Sequence, residues 1–309
     1  MPIVGSDIFF LSCIPKFPNF GYSTIPDFNM SNEIKQITKR SGEKVPFDQQ
    51  KLKRSLERTG AGEQEIQKII QLVNSRLVDG MSTHKVYQMA YSILRKKSHK
   101  VAGKYRLKKA IFELGPTGYP FERFVGELLK FQGYQVQVGQ IVKGHCVDHE
   151  VDVIAEKEKQ KFMIECKFHQ DASKKSDVKV SLYIQSRFLD VEKEWKKQPE
   201  ESLRFHQGWI VTNTRFTDDA IRFGKCAGLK LISWDYPQQG SLKQRIDSSG
   251  LHPVTALSGI TKAEKQEVLN KDIVLCRDLK PEHLLEIGIR ENRIKKIMEE
   301  VNELIVSKN

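Results

Sequence analysis

The sequence predicts a multi-domain α/β protein: a hairpin followed by helices, a central mixed sheet flanked by helices, and a small helical domain at the end. Between residues 115 and 240, short apolar runs alternate with helical patterns, as in a sheet layered with helices. Before that stretch, apolar residues recur at helical spacing behind one short strand pair; after it, the chain holds helical patterns alone.

The 309 residues are 39% hydrophobic and 29% charged, enough to bury several cores. Gly115, Pro116, Gly118 and Pro120 interrupt the helical pattern, so domains are expected at 30–114, 115–240 and 250–309. Residues 1–29, rich in Pro, Phe and Ser, read as a flexible leader or as a start placed too early, with Met30 as the alternative initiator. No run reaches the roughly 18 apolar residues of a membrane span, and the start lacks a basic secretory n-region. Five scattered cysteines with no CxxC pair suit a reducing compartment, so the expected location is cytoplasmic, away from membranes.

The first unit opens with ITKRSGEKV, two short strands around a Ser-Gly turn in which Gly42 supplies a positive φ. Asp48 caps a helix carrying Leu52 and Leu56, and Gly60 ends it. Ile66, Ile69, Ile70, Val73 and Leu77 mark a second helix, and Val86, Met89, Ala90, Ile93 and Leu94 a third. A fourth, over about 99–114, is strongly basic. Residues 35–111 hold 19 Lys/Arg against 6 Asp/Glu, so this segment carries +13 of a chain total of +12 and the remainder is about −1. Such a local excess points to a polyanion, either nucleotide phosphates or nucleic acid; a solvated basic face is the alternative.

The central unit starts with the helix FERFVGELLKFQG and continues through strands QVQVGQIV, VDVIAE and KFMIECKF. A polar helix over about 176–198, the strand GWIVTN, the helix TDDAIRFGKCAG and the strand KLISW follow. With KEKQ (157–160) as the loop of a hairpin, Glu156 faces Lys161, Ile154 faces Met163 and Asp152 faces Glu165. Side chains alternate along a strand, so Lys167 shares the face of Glu165. Opposed carboxylates repel and call for a cation or a raised pKa. Two oxygen ligands of this kind suit Mg²⁺ (or Mn²⁺), with phosphate oxygens and water completing the shell, and Lys167 beside them can hold an attacking water or neutralise charge on phosphorus. The same residues also read as edge-strand charges that discourage sheet association. His145, Cys146 and His149 form a local cluster one ligand short of a zinc site.

From Tyr119 to about Trp234 the order of motifs resembles the Mrr-like branch of the PD-(D/E)XK nucleases: YPFERFVGELL, HEVDVIA, IECK and YIQSRF. This resemblance implies Asp152 and Glu165 as metal ligands, Lys167 as the catalytic lysine, Glu122 as the helical acid and Gln185 as the branch-specific helix residue. ITKRSGEKVPFDQQKLKRSL resembles the ATP-cone, the nucleotide-binding regulatory domain of ribonucleotide reductases and their repressor. Its signature stands here as Ile37, Lys39, Arg40, Gly42, Val45, Phe47, Asp48 and Lys51. The resemblance implies ATP or dATP as effector, held by Lys39, Arg40, Gly42, Asp48 and Lys51. A glycine turn, three cations and a helix N-terminus near Asp48 suit a triphosphate. No GxxxxGK[ST] motif is present, so ATP is expected to be sensed and not hydrolysed.

In the tail, Thr261 and Glu264 form a capping box, and PEHLLEIGIRENRIKKIMEEVNELI reads as helix, glycine turn, helix. IGI at 287–289 resembles the turn of helix-hairpin-helix DNA-binding modules; oligomerisation or partner docking is the other reading. Together these readings give a metal-dependent DNA endonuclease under ATP/dATP control in a restriction or phage-defence setting, acting as a homo-oligomer because one such site cuts one strand. Two alternatives stand beside it: a nucleotide-responsive DNA-binding regulator with an idle nuclease fold, and a repair or junction nuclease.

Overall fold

The computed structural model describes residues 35–39, 41–96, 99–200 and 204–305. The leader over 1–29 and Arg40 lie outside the described residues.

The N-terminal unit is built on strands β1 (Gln36–Thr38) and β2 (Lys44–Pro46), antiparallel about Gly42 at φ 84°. Helix α1 (Gln49–Glu57) is capped by the Asp48 side chain on the Lys51 amide, as its sequence predicts. Helix α2 (Glu63–Arg76) leads to β3 (Met81–Ser82), a third strand that pairs parallel with β1 and that the sequence reading missed. Helices α3 (Thr83–Arg95) and α4 (His99–Phe112) complete the unit. Leu56, Ile66, Ile69, Ile70, Val73, Ala90 and Leu94 are nearly solvent-free and form its core.

Helix α5 (Tyr119–Phe131) opens the central unit, followed by β4 (Gln135–Lys143), β5 (Asp148–Lys157), β6 (Gln160–Lys167) and the short β7 (Lys175–Ser176). Helix α6 (Val178–Trp195), β8 (Phe205–Thr212), β9 (Arg215–Phe216), α7 (Asp218–Cys226) and β10 (Lys230–Ile232) follow. The main sheet has the order β10-β8-β6-β5-β4; β5 runs antiparallel to both of its neighbours, β4 and β6, and β6, β8 and β10 are parallel. One face, with Val153, Ile164, Cys166 and Trp209, packs on α5; the other, with Ile154, Met163 and Ile210, packs on α6 and α7. Gly126 of α5 is where the helix meets β4: a Cβ there would lie 3.0 Å from Val138.

The remaining helices are α8 (Leu242–Ser249), α9 (Lys262–Asn270), α10 (Pro281–Glu286) and α11 (Glu291–Ile305). The expected capping box on α9 is present, and Gly288 (φ 79°) turns α10 into α11. These helices share one core with the sheet and with α4, through Leu107, Ile111, Leu114, Phe121, Leu251, Val268 and Val301. Helix α4 therefore belongs to two cores, giving Ala102 to the N-terminal unit and Leu107 and Ile111 to the larger one. Its hold on the tail is polar as well. Lys265, 5% exposed, bonds Glu113 at 3.2 Å and the Thr255 carbonyl at 2.8 Å; Arg106 bonds Glu113 at 2.6 Å; and Thr255 donates to the Ala110 carbonyl at 2.6 Å.

Candidate active site and nucleotide pocket

The β5–β6 hairpin holds the expected register from Glu156↔Lys161 to Val153↔Ile164, but its loop is shorter than KEKQ. Lys157 pairs with Gln160, leaving Glu158 and Lys159 as a two-residue turn at φ 54° and 61°. Above Val153↔Ile164 the ladder stops, so Asp152 and Glu165 are not a paired step of it. On the β4 side the pairs Val138↔Val153 and Gln140↔Val151 bracket Gly139, which stands opposite Asp152 with φ 63° and makes no paired step. Asp152 thus sits where neither neighbouring ladder constrains it, and its Oδ2 accepts the Cys166 amide at 2.7 Å. Interrupted pairing of this kind aims a side chain out of the sheet plane.

The acidic side chains do converge. Glu165 is 5% exposed, and both its oxygens are engaged, Oε1 by Lys167 at 2.6 Å and Oε2 by Arg187 of α6 at 2.5 Å. Arg187 also donates to the Glu150 carbonyl. Glu122, in the first turn of α5, is pushed up to about 7 by burial and by the charges of Asp152, Glu150 and Glu165. Burial and then Glu165 raise Asp152 to about 6, against the opposing pull of the Cys166 amide, Lys167 and Arg187. Gln185, also on α6, has a buried Oε1 with no hydrogen-bond partner among the described residues.

These donors fit a divalent cation. Two crowded carboxyls held above their ordinary range are relieved by positive charge, Asp152 keeps one oxygen free of the Cys166 amide, and an orphaned amide oxygen lies on the neighbouring helix. Glu165 would exchange Lys167 or Arg187 for the ion. Among the described residues no group of three or more His, Cys, Asp and Glu forms a ready cage, so a cation here draws on water and substrate oxygens.

His145, Cys146 and His149 are organised by Asp190 of α6. Its carboxylate accepts the Cys146 amide at 2.9 Å and the Val147 amide at 3.3 Å and contacts His149 Nε2 at 2.8 Å, while its carbonyl accepts the His145 amide. The cluster pins the β4–β5 turn to the helix.

In the N-terminal unit a cavity of about 260 Å³ is lined by Lys39, Asp48, Lys51, Ser55, Thr83, Tyr87 and Tyr105. Tyr87 and Tyr105 stack with centroids 4.8 Å apart, and burial pushes the Tyr105 hydroxyl up to about 12. Lys39 pairs with Glu43 at 2.9 Å and Lys51 with Asp48 at 3.6 Å, both in exposed positions where a polyanion can displace the acid. A wider cleft of about 810 Å³ shares Lys39, Thr83 and Tyr87 with this cavity and extends to Lys108 and Lys109 of α4 and to Gln170 and Ala172 beyond β6.

A restriction endonuclease family model matches residues 116–187, an ATP cone domain model residues 35–111, and an AF1548-like, C-terminal model residues 252–305. An uncharacterized protein of Archaeoglobus fulgidus is 35% identical over 184 residues, which are 59% of this chain and 99% of the relative. The chain belongs to the AF1548-like family. The crystal structure of AF1548, a protein of unknown function, aligns at 35% identity with a TM-score of 0.52, covering 61% of this chain and 98% of that one. This AF1548-like chain therefore joins an ATP cone to a restriction-endonuclease-like domain, as both motif resemblances imply.

The endonuclease match spans Glu122, Asp152, Glu165, Lys167 and Gln185, and the structure draws the first four together around one opening of the sheet. Arg187 was missed, whereas Glu150, with His149, stands out in the sequence as immediately preceding the VDVIAE run of Asp152. Arg187 had a signal: it lies in the apolar stripe Ile184, Phe188, Val191, where an arginine needs a buried partner. Glu150 enters both through its charge, which helps raise Glu122, and through its backbone carbonyl, which no side-chain pattern announces. Among the described residues no helix is long and apolar enough to cross a membrane.

Proposed function

We propose that the protein is a metal-dependent DNA endonuclease whose cutting responds to adenine nucleotide bound in the cone. The observation that supports it is the convergence of Glu122, Asp152, Glu165 and Lys167 where β5 parts from β6, with two of the carboxyls raised to about 7 and about 6. Asp152 and Glu165 would hold Mg²⁺ or Mn²⁺, with Glu122 and the unpartnered Gln185 amide oxygen as further candidate oxygens. When bound, the ion supplies Lewis-acid activation of a water and of the scissile phosphate. Lys167, released from Glu165, donates to the attacking water or to the phosphate oxygens as charge builds there. Arg187 orients Glu165 through a fork that also grips the Glu150 carbonyl. Glu122, raised to about 7, is positioned to take or return a proton near neutrality.

The cone holds ATP or dATP between Lys39, Lys51 and the Tyr87–Tyr105 stack, and Gly42 lets the turn amides approach the phosphates; Arg40 enters by the sequence signature alone. Helix α4 carries Tyr105 in that pocket and Arg106, which bonds Glu113 just past the helix in the ion network that holds α9, so a nucleotide that shifts α4 reaches the rest of the fold. Restriction or phage defence is the setting that such a nuclease suits, and two copies account for cutting both strands. An idle site is the second reading, favoured by the double ion pairing of Glu165.

Calorimetric titration with Mn²⁺ separates the two: the nuclease reading expects binding with proton release near pH 6–7, lost in Asp152→Asn, and the idle site expects no metal-dependent heat. For the cone, Lys39→Ala and Lys51→Ala are each expected to weaken ATP or dATP roughly tenfold, a loss of about 1.4 kcal/mol. Unchanged affinity in both would displace the nucleotide from this pocket.

A further inference from the structure

The chain leaving β6 carries cations away from the active site toward the cone. After Lys167, Phe168 packs on Phe121 with centroids 5.7 Å apart. The His169 amide and carbonyl are both bonded, at 2.8 Å, to the side chain of fully buried Asn213. The imidazole of His169 is held below its ordinary range by burial and then by the charges of Lys174 and Lys167, which marks those two lysines as neighbours across the loop. Lys175 then begins β7, which pairs parallel with β9 so that Lys175 and Arg215 are direct Cα partners.

Like charges directly opposite one another weaken a sheet, and both side chains belong to exposed residues. On the Arg215 side stands Lys108 of α4, its ammonium 5.6 Å from the centroid of the ring of Trp234, whose amide bonds the Thr214 carbonyl next to Arg215. Its pKa is lowered by burial and by the charge of Arg215, against the pull of Asp235. Asp235 is already engaged by Arg215 at 2.7 Å, and Asp171 and Asp177 accept from backbone amides of Ser173, Lys179 and Val180. Lys108 and Arg215 thus share one engaged carboxylate, and Lys175 stands directly across the β7–β9 pairing from Arg215, at the end of the loop that leaves Lys167.

We propose that Lys108, Lys175 and Arg215 bind backbone phosphates of duplex DNA, so that the last helix of the cone is part of the substrate-binding surface of the nuclease. This inference rests on the endonuclease reading. The occupant is chosen by charge complementarity: a duplex seated at Asp152 and Lys167 continues over the 168–176 loop, and its regularly spaced phosphates neutralise cations that the fold otherwise leaves crowded. Lys108 itself lines the cleft that adjoins the nucleotide pocket, so DNA and nucleotide act on one helix.

The test is fluorescence anisotropy of a labelled 30-base-pair duplex with the full chain in EDTA, from 50 to 200 mM KCl. It compares wild type, Arg215→Gln, Lys108→Gln/Arg215→Gln, and Lys130→Gln/Lys197→Gln as a control away from the track. The slope of log K against log salt is expected to flatten by about 0.9 for Arg215→Gln and about 1.8 for the double variant, with the control unchanged. A wild-type slope in both track variants overturns the proposal while leaving the nuclease reading intact. Absence of wild-type binding overturns both. ATP titration of the same variants closes the remaining route: loss of ATP affinity with an unchanged DNA slope assigns Lys108 to the nucleotide and refutes the track.

Discussion

Replacing Asp152 by asparagine should make the metal-free protein more stable at pH 8 and have little effect near the ordinary carboxyl value of 3.8 and below. The native carboxyl titrates at about 6 against an ordinary value of 3.8, because it is buried and faces Glu165. A carboxyl with a raised native pKa keeps its proton when the unfolded chain has already released its own. Stability therefore falls as pH rises from about 4 to about 6 and stays low above that window. The difference corresponds to at most about 3 kcal/mol. Asparagine removes the charge but keeps an oxygen for the Cys166 amide, giving up the charge-assisted part of that 2.7 Å bond, about 1 kcal/mol. The net gain at pH 8 is about 1–2 kcal/mol, or roughly 2–6 °C in Tm for a unit of this size. The sheet and the tail helices share one core, so they melt as one unit whose transition differential scanning calorimetry in EDTA can follow. A variant that melts lower than wild type at pH 8, by as much as it does below the ordinary carboxyl value of 3.8, would refute the claim that this carboxylate is crowded.

Other perturbations follow from named contacts. Arg187→Met leaves Glu165 buried with Lys167 alone; a loss on the order of 3 kcal/mol in chemical denaturation is expected, partly restored by Mg²⁺ in the proposed site, and no loss would mean that the fork is not formed. Glu113→Ala sets Arg106 and Lys265 against each other inside the α4–α9 contact, so a destabilisation of about 3–5 kcal/mol should appear, and one below 1 kcal/mol would deny that the network is dry. Lys159→Gly relieves a left-handed residue in the hairpin turn and should raise stability by roughly 0.5 kcal/mol, read as a shift in the urea midpoint; a lowered midpoint would contradict the turn geometry.

Much of the site was legible because its information is local. Alternation along VDVIAEKEKQKFMIECKF fixes which side chains share a face, and the structure keeps that register from Glu156 to Val153. The last step was not legible, since it depends on Gly139 of a different strand taking φ 63° opposite Asp152, a non-local event. Strand β3 escaped notice because two residues leading straight into α3 carry no alternation to read. Helix α8 lies in the stretch between 240 and 250 that was assigned to no domain. The dual role of α4 was hidden for a physical reason: a helix that buries Ala102 on one side and Leu107 and Ile111 on another has no single apolar face, so its pattern reads as surface with basic decoration. The Gly-Pro cluster at 115–120 reads as a boundary, and the ATP cone and endonuclease matches change over there, while one core runs across it from Leu114 to Phe121. Composition and local punctuation report where the chain turns, and only packing reports which turns divide it.

The central claim is that Asp152, Glu165 and Lys167 cut DNA with the help of a divalent ion. Relaxation of supercoiled plasmid by the full chain, with Mg²⁺ or Mn²⁺ and with or without ATP, tests it most directly. Wild type should nick the plasmid in a metal-dependent manner, and Lys167→Ala should lose at least a hundredfold in rate, the scale of a positioned proton donor. Equal behaviour of wild type and Lys167→Ala, with no metal or nucleotide restoring a difference, would contradict the account.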